Sequence, residues 1–307
     1  MSTLNVSNTN VSNAIIAGVV TVNGASLANT ITIGNSSVNS SVIAVGNVTV
    51  NTTIISTPSL FLSGISVGTG FLTANSGIVN TQIFTVSGTW TKPAGLSGNE
   101  QVFVMLWGGG GGGQTTASGG GGACVIGTFA ASALSSTETV TVGLGGTSTL
   151  AGGTTTFKNL NAYGGGGSPQ YDDSGGGGGW FGPGSSTLNN PLGGAPLGGA
   201  IGGNGVKGGD STFGGGGGTT YSDATGGNGG WSVFGGAAGM NTYGTTISRS
   251  IYGGGGGQGG YVSGSSVFGG QGGSSTTYAT VPGGGGGSIT ATYYPGANGQ
   301  VRVWVIK

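Results

Sequence analysis

The 79 glycines of this chain are bunched, and the bunching limits what it can fold into more than any other feature. Eight fall within residues 1–87, and all the others lie from Gly88 onward. They form consecutive runs at 108–113, 164–167, 175–179, 214–218, 253–257 and 283–287. Ordering that many glycines costs on the order of 100 kcal/mol of backbone entropy, at roughly 1–2 kcal/mol each. Glycine brings no side chain to offset it, so backbone hydrogen bonds and close backbone packing must do so, or the segment stays disordered. Collagen is excluded, because it needs glycine at every third position with abundant proline, and here glycines are consecutive and prolines total eight. A three-fold extended helix meets the requirement. It makes no internal hydrogen bonds, so every N–H and C=O points outward toward a neighbour. Without Cβ atoms such helices can approach closely and add Cα–H···O contacts. A five-glycine run would be about 15 Å long at ~3.1 Å per residue.

Aromatic punctuation argues for order over disorder. Trp107, Tyr163, Phe213, Phe234, Tyr252 and Phe268 each stand immediately before glycines. Four segments share one frame: Asp210-Ser211-Thr212-Phe213-Gly214, Trp231-Ser232-Val233-Phe234-Gly235, Arg249-Ser250-Ile251-Tyr252-Gly253 and Ser265-Ser266-Val267-Phe268-Gly269. A flexible linker has no use for aromatics in register. A packed array does, since large side chains at helix ends can cluster and seal it. The expectation is that these aromatics mark one end of a sandwich and the intervening segments turn round at the other. Those segments are rich in Tyr, Ser, Thr, Asn and Gly, a composition like that of antibody binding loops. Their candidate contact residues are Tyr171, Asp172, Asp173, Trp180, Tyr221, Tyr243, Tyr261, Tyr278, Tyr293 and Tyr294. The plainer reading is that these are turns whose rings cover the sandwich edge.

Catalytic chemistry finds little to work with. The chain has no His, one Cys (Cys124), six Lys/Arg and six Asp/Glu, with zero net charge. It lacks the commonest general base and metal ligand, and it has no basic field for nucleic acid. The many G-x-G-x-x-G matches follow from composition and have no βαβ context. Lys207 is followed by glycine, not the Ser/Thr of a phosphate-binding loop. Gly208-Gly209-Asp210 resembles a calcium-binding nonapeptide unit, but the Asp does not recur at that period. No apolar run approaches the ~20 residues of a membrane span. We expect no enzyme, no metal or other cofactor, no nucleic-acid partner and no membrane insertion.

Residues 1–87 are built differently. They carry no charge and read as strands of three to five residues, β-branched and closed by Asn, Gly, Ser or Thr. Asn23-Gly24 between 19–22 and 25–28 is a hairpin signal. With few large side chains, this segment needs help from oligomerisation, and a homotrimeric β-fibre is expected. Two domains follow: an oligomerising attachment region over 1–87 and a glycine-rich binding region over 88–307.

The second region opens with Phe84-Thr85-Val86-Ser87-Gly88-Thr89-Trp90-Thr91-Lys92-Pro93-Ala94-Gly95. The stretch 101–107 then runs straight into six glycines, and the chain closes on Gly299-Gln300-Val301-Arg302-Val303-Trp304-Val305-Ile306. This order resembles the glycine-rich domain at the tips of bacteriophage tail fibres, over 84–307. The back half is similar to the receptor-binding adhesins of T-even-type phages. The resemblance implies a mostly β/irregular fold: a short-strand β-fibre, then a few strands and a sandwich of polyglycine II helices. It also implies a place in the virion, at a tail fibre or tail tip. The implied partners are a bacterial surface receptor (an outer-membrane protein or a polysaccharide) and other tail-fibre or baseplate proteins. A non-adhesive capsid or decoration fibre, an ice-binding protein and a fibre-assembly chaperone are the rival readings.

Overall fold

The computed structural model describes residues 3–7, 11–12, 19–23, 27–28, 30–33, 37–39, 42–45, 47–50, 54–56, 59–62, 78–96, 98–114, 116–169, 173–187, 190, 192–203, 206–220, 228–240, 247–258, 263–289 and 292–306. Two compact units divide the chain, 1–76 and 77–307. Composition places this junction at 87/88. It falls earlier because the Ile78–Phe84 strand pairs with Gln300–Ile306, inside the second unit.

The first unit consists of short parallel pairs. Thr3–Ser7 pairs with Val19–Asn23, and Val11–Ser12 with Leu27–Ala28, both at the same offset along the chain. Three further pairs share a slightly longer offset: Thr30–Ile33 with Asn47–Val50, Ser37–Asn39 with Ile54–Ser56, and Val42–Val45 with Ser59–Leu62. The offset between partners is thus nearly constant along the described strands of this unit. The Asn23-Gly24 hairpin is therefore corrected. A two-residue turn joins antiparallel strands, whereas here both flanking strands pair in parallel with strands earlier in the chain.

In the second unit, two antiparallel sheets pack face to face. One has the order Ile78–Phe84, Gln300–Ile306, Gln101–Trp107, Cys124–Ala130. The other runs Gly88–Thr91, Thr137–Thr141, Thr155–Phe157, Leu160–Ala162. Alternation along the strands sends Val102, Val104 and Leu106, and likewise Val301, Val303 and Val305, into one core with Trp90, Val140 and Phe157. Trp90 meets Phe157 edge-on at 5.8 Å.

Beyond Trp107 the chain leaves the sheet as polyglycine, and its hydrogen bonds take on period three. Gly108 and Gly111 donate to Ala123 and Gly120, Gly109 and Gly112 to Gly153 and Leu150, and Gly110 and Gly113 to Ala297 and Tyr294. Three successive residues thus address three different neighbours, which is the signature of a three-fold extended helix. The helix around 119–123 sits at the centre of the array. Its N–H groups reach 283–286, 163–166 and 234–237 in turn, and its carbonyls accept from 108–111, 175–178 and 254–257, at 2.8–3.0 Å throughout. Six neighbours surround it. A Cβ on Gly120 would stand 2.2 Å from the Gly176 carbonyl oxygen, so no other residue fits there.

Candidate functional site

The aromatics do gather at one end of the array, and the shared frame explains how. Ser211, Ser232 and Ser250 are bridged in parallel, and Arg249–Ser250 pairs with Ser265–Ser266, so the four segments stack as rungs. Parallel strands lie ~4.8 Å apart, and the rings inherit that spacing. Phe213–Phe234, Phe234–Tyr252 and Tyr252–Phe268 stack at 5.3, 4.8 and 4.9 Å with planes within 10°. Beneath the rings runs a second ladder. Ser232, Ser250 and Ser266 each donate Oγ–H to the carbonyl of the glycine after the previous aromatic, Gly214, Gly235 and Gly253, at 2.6–2.7 Å. The Trp107 indole fastens the stack to the sheet by donating to Tyr252 O at 2.7 Å. The seal is partial, since Phe213 and Phe268 at the two ends remain exposed.

One of the proposed contact residues, Trp180, belongs to this scaffold. The sequence reading puts Trp180 in a binding loop. Its ring instead caps the stack at 5.0 Å from Phe213, and its Nε1–H donates to Cys124 O at 2.6 Å. It follows a glycine run that ends at the aromatic end, as the Trp180 N–H to Phe213 O bond shows. Asp173 is buried, not displayed. Tyr171, Asp172, Tyr221, Tyr243 and Tyr261 lie outside the described residues.

The remaining tyrosines mark the opposite end. Gly113 N–H, at the far end of the first run, donates to Tyr294 O. There Tyr278 and Tyr294, far apart in sequence, meet edge-on at 5.0 Å, and Tyr278 is 69% exposed. Tyr293 lies in the Thr292–Tyr293 strand, paired with Ser288–Ile289 at the same end. The runs that precede the other loops also finish here: Ser168 donates to Gly112 O, Met240 to Gly257 O and Gln258 to Gly273 O.

One cluster escapes the sequence reading. The rung register puts the residues before each serine side by side, so Asp210, Trp231 and Arg249 form a column. Lys207 Nζ bonds both Asp210 oxygens at 2.6 and 2.7 Å and lies 4.6 Å from the Trp231 ring centroid. Arg249 lies 5.9 Å from the same centroid. The shared frame held this column, but reading it required knowing that the frames stack in parallel.

Cys124 is buried where the Cys124–Ala130 strand leaves the glycines, and burial pushes its thiol far up, with Arg302 pulling weakly the other way. Among the described residues no group of three His, Cys, Asp or Glu could hold a metal ion, and no helix is long and apolar enough to cross a membrane. No curated protein matches the sequence. A family model described as a glycine-rich domain matches residues 81–305, most of the chain. The chain belongs to that glycine-rich domain family.

Proposed function

We propose that the protein is an adhesin of a bacteriophage tail fibre or tail tip, which binds a bacterial surface receptor through loops at the tyrosine end of its polyglycine array. The observation that carries this reading is the polarity of the second unit. In the first sheet Ile78 pairs with Ile306, farthest from the glycines, whereas Phe84 pairs with Val301 and Trp107 with Gln300 beside them. The chain therefore comes in at the far edge of the sheet, and the Tyr278–Tyr294 pair projects from the opposite end of the unit. A backbone-bonded array is a rigid mount for such loops, and exposed tyrosines supply contact area at low entropic cost. The short parallel strands of 1–76 would serve assembly as a homotrimer, on fibre or baseplate proteins.

Adsorption tests the reading. Purified protein should bind host cells and compete with phage attachment. Tyr278→Ala with Tyr294→Ala should weaken that binding while leaving the melting temperature nearly unchanged, since Tyr278 is mostly exposed. A protein that resides on the virion but does not bind cells would instead be a decoration fibre.

A further inference from the structure

We propose that Lys207, Trp231 and Arg249 form a binding site for an anionic saccharide, one carrying a carboxylate or phosphate. The proposal rests on the adhesin reading and names a ligand class for it. The whole sequence has six basic and six acidic residues, so charge is scarce. Two of the cations nevertheless converge on a single indole, and one acid pairs with the nearer of them. The cluster carries a net positive charge on a neutral protein.

Its parts are held in place. The Trp231 N–H donates to Asp210 Oδ1 at 2.6 Å, and its Nε1–H donates to Ile247 O at 3.1 Å, so both ends of the residue are anchored. The ring is still 39% exposed. Asp210 also fixes Lys207, taking at most two of the three N–H donors of the ammonium. Arg249 is exposed and, among the described residues, makes no ion pair. Its planar guanidinium fits a carboxylate or phosphate through two parallel hydrogen bonds. The apolar C–H face of a pyranose carries slight positive charge and packs on the electron-rich indole face. An anionic sugar thus satisfies the ring and both cations together, which a neutral sugar or a free anion cannot do.

Calorimetry on the full-length chain tests this with four probes: a phosphorylated lipopolysaccharide core oligosaccharide, the same oligosaccharide dephosphorylated, a glucuronic-acid-bearing capsular tetrasaccharide, and its carboxyl-reduced form. Binding is expected for one or both charged probes, weakening as salt is raised. The phosphate and uronate arms tell the two sources apart. Arg249→Gln and Lys207→Gln, whose side chains touch no core, should each weaken that binding roughly tenfold without moving the melting temperature. Trp231→Ala should abolish it. Equal affinity for the charged and neutral forms, or undiminished binding by the Arg249 and Lys207 variants, overturns the proposal. If no probe binds while cells are still adsorbed, the site fails and the adhesin reading stands. Probe binding without any cell adsorption has the opposite meaning.

Discussion

The side-chain amide of Gln271 stands beside Ser266 where another strand would lie: its Oε1 accepts from the Ser266 N–H at 3.2 Å and its Nε2 donates to Ser266 O at 2.8 Å. Two rungs earlier, the same backbone groups of Ser232 bond to Arg249 O and Ile251 N of the next rung. Ser266 belongs to the last of the four rungs. An amide carries one acceptor and a donor in the spacing of a peptide, so it closes the edge that the ladder would otherwise present to another molecule.

Gln271→Ala should therefore uncover that edge. The loss of two partly buried hydrogen bonds predicts destabilisation of about 1–3 kcal/mol. The freed strand should also promote association. Thermal unfolding and light scattering over a range of concentrations check both effects, and a variant with unchanged melting and mass would remove the capping role.

The array makes a sharp distinction among glycines. At Gly120 a Cβ would meet the Gly176 carbonyl at 2.2 Å, whereas at Gly182 the nearest contact is the Ala195 Cβ at 3.4 Å. Gly120→Ala should exceed about 4 kcal/mol and prevent folding, because six surrounding backbones cannot all withdraw. Gly182→Ala should stay within about 0.5 kcal/mol of the parent. Soluble yield and unfolding midpoints compare them. Equal tolerance at the two sites would contradict the packed array.

The aromatic stack should be uneven in its energetics. Trp180 contacts Phe213 and Phe234 and hydrogen-bonds Cys124 O, while Phe268 at the other end is 52% exposed. A fully buried Phe or Trp costs about 3–5 kcal/mol on truncation. Trp180→Ala should cost about 3 kcal/mol and Phe268→Ala about half as much. Denaturant unfolding ranks the two, and a reversed order would mean that the ladder is anchored at its Phe268 end.

What the sequence makes legible is the part governed by local chemistry. Consecutive glycines have few ordered options, and an aromatic directly before glycines must go to an end of the helices, so Trp107, Phe213, Phe234, Tyr252 and Phe268 can be placed together from their positions. Pairing is harder to read. Asn23-Gly24 suits a hairpin locally, yet Val19–Asn23 pairs in parallel with Thr3–Ser7, and a register set by a strand so far back leaves no local mark. Trp180 looks like a loop residue because it follows glycines instead of preceding them. Its N–H bond to Phe213 O and its ring contact with Phe213 reveal that its run ends at the aromatic end. The meeting of Tyr278 with Tyr294, and of Lys207 with Trp231, depends on which runs are neighbours, and runs of identical glycines carry no information about that.

Cys124 links the glycine array to the pH response of the fold. Its thiol is buried, its backbone N–H donates to Phe234 O, and its carbonyl receives the Trp180 indole. Burial disfavours the thiolate and pushes the pKa well above its ordinary 9.0, with Arg302 opposing weakly. In the unfolded chain the thiol titrates near that ordinary value. Above about pH 9 the unfolded state therefore loses a proton that the folded state keeps, so stability falls as pH rises and is unaffected at neutrality. Cys124→Ala removes the group, and its urea midpoint should decline less than that of the parent between about pH 8.5 and 10.5. Taking the difference between the two proteins cancels every contribution that they share. The native thiol should also resist an aromatic disulfide reagent at pH 8 and react only as the protein unfolds. Prompt labelling of the folded protein, or identical alkaline slopes for the two chains, would mean that water reaches Cys124 and that the junction between sheet and glycines is open.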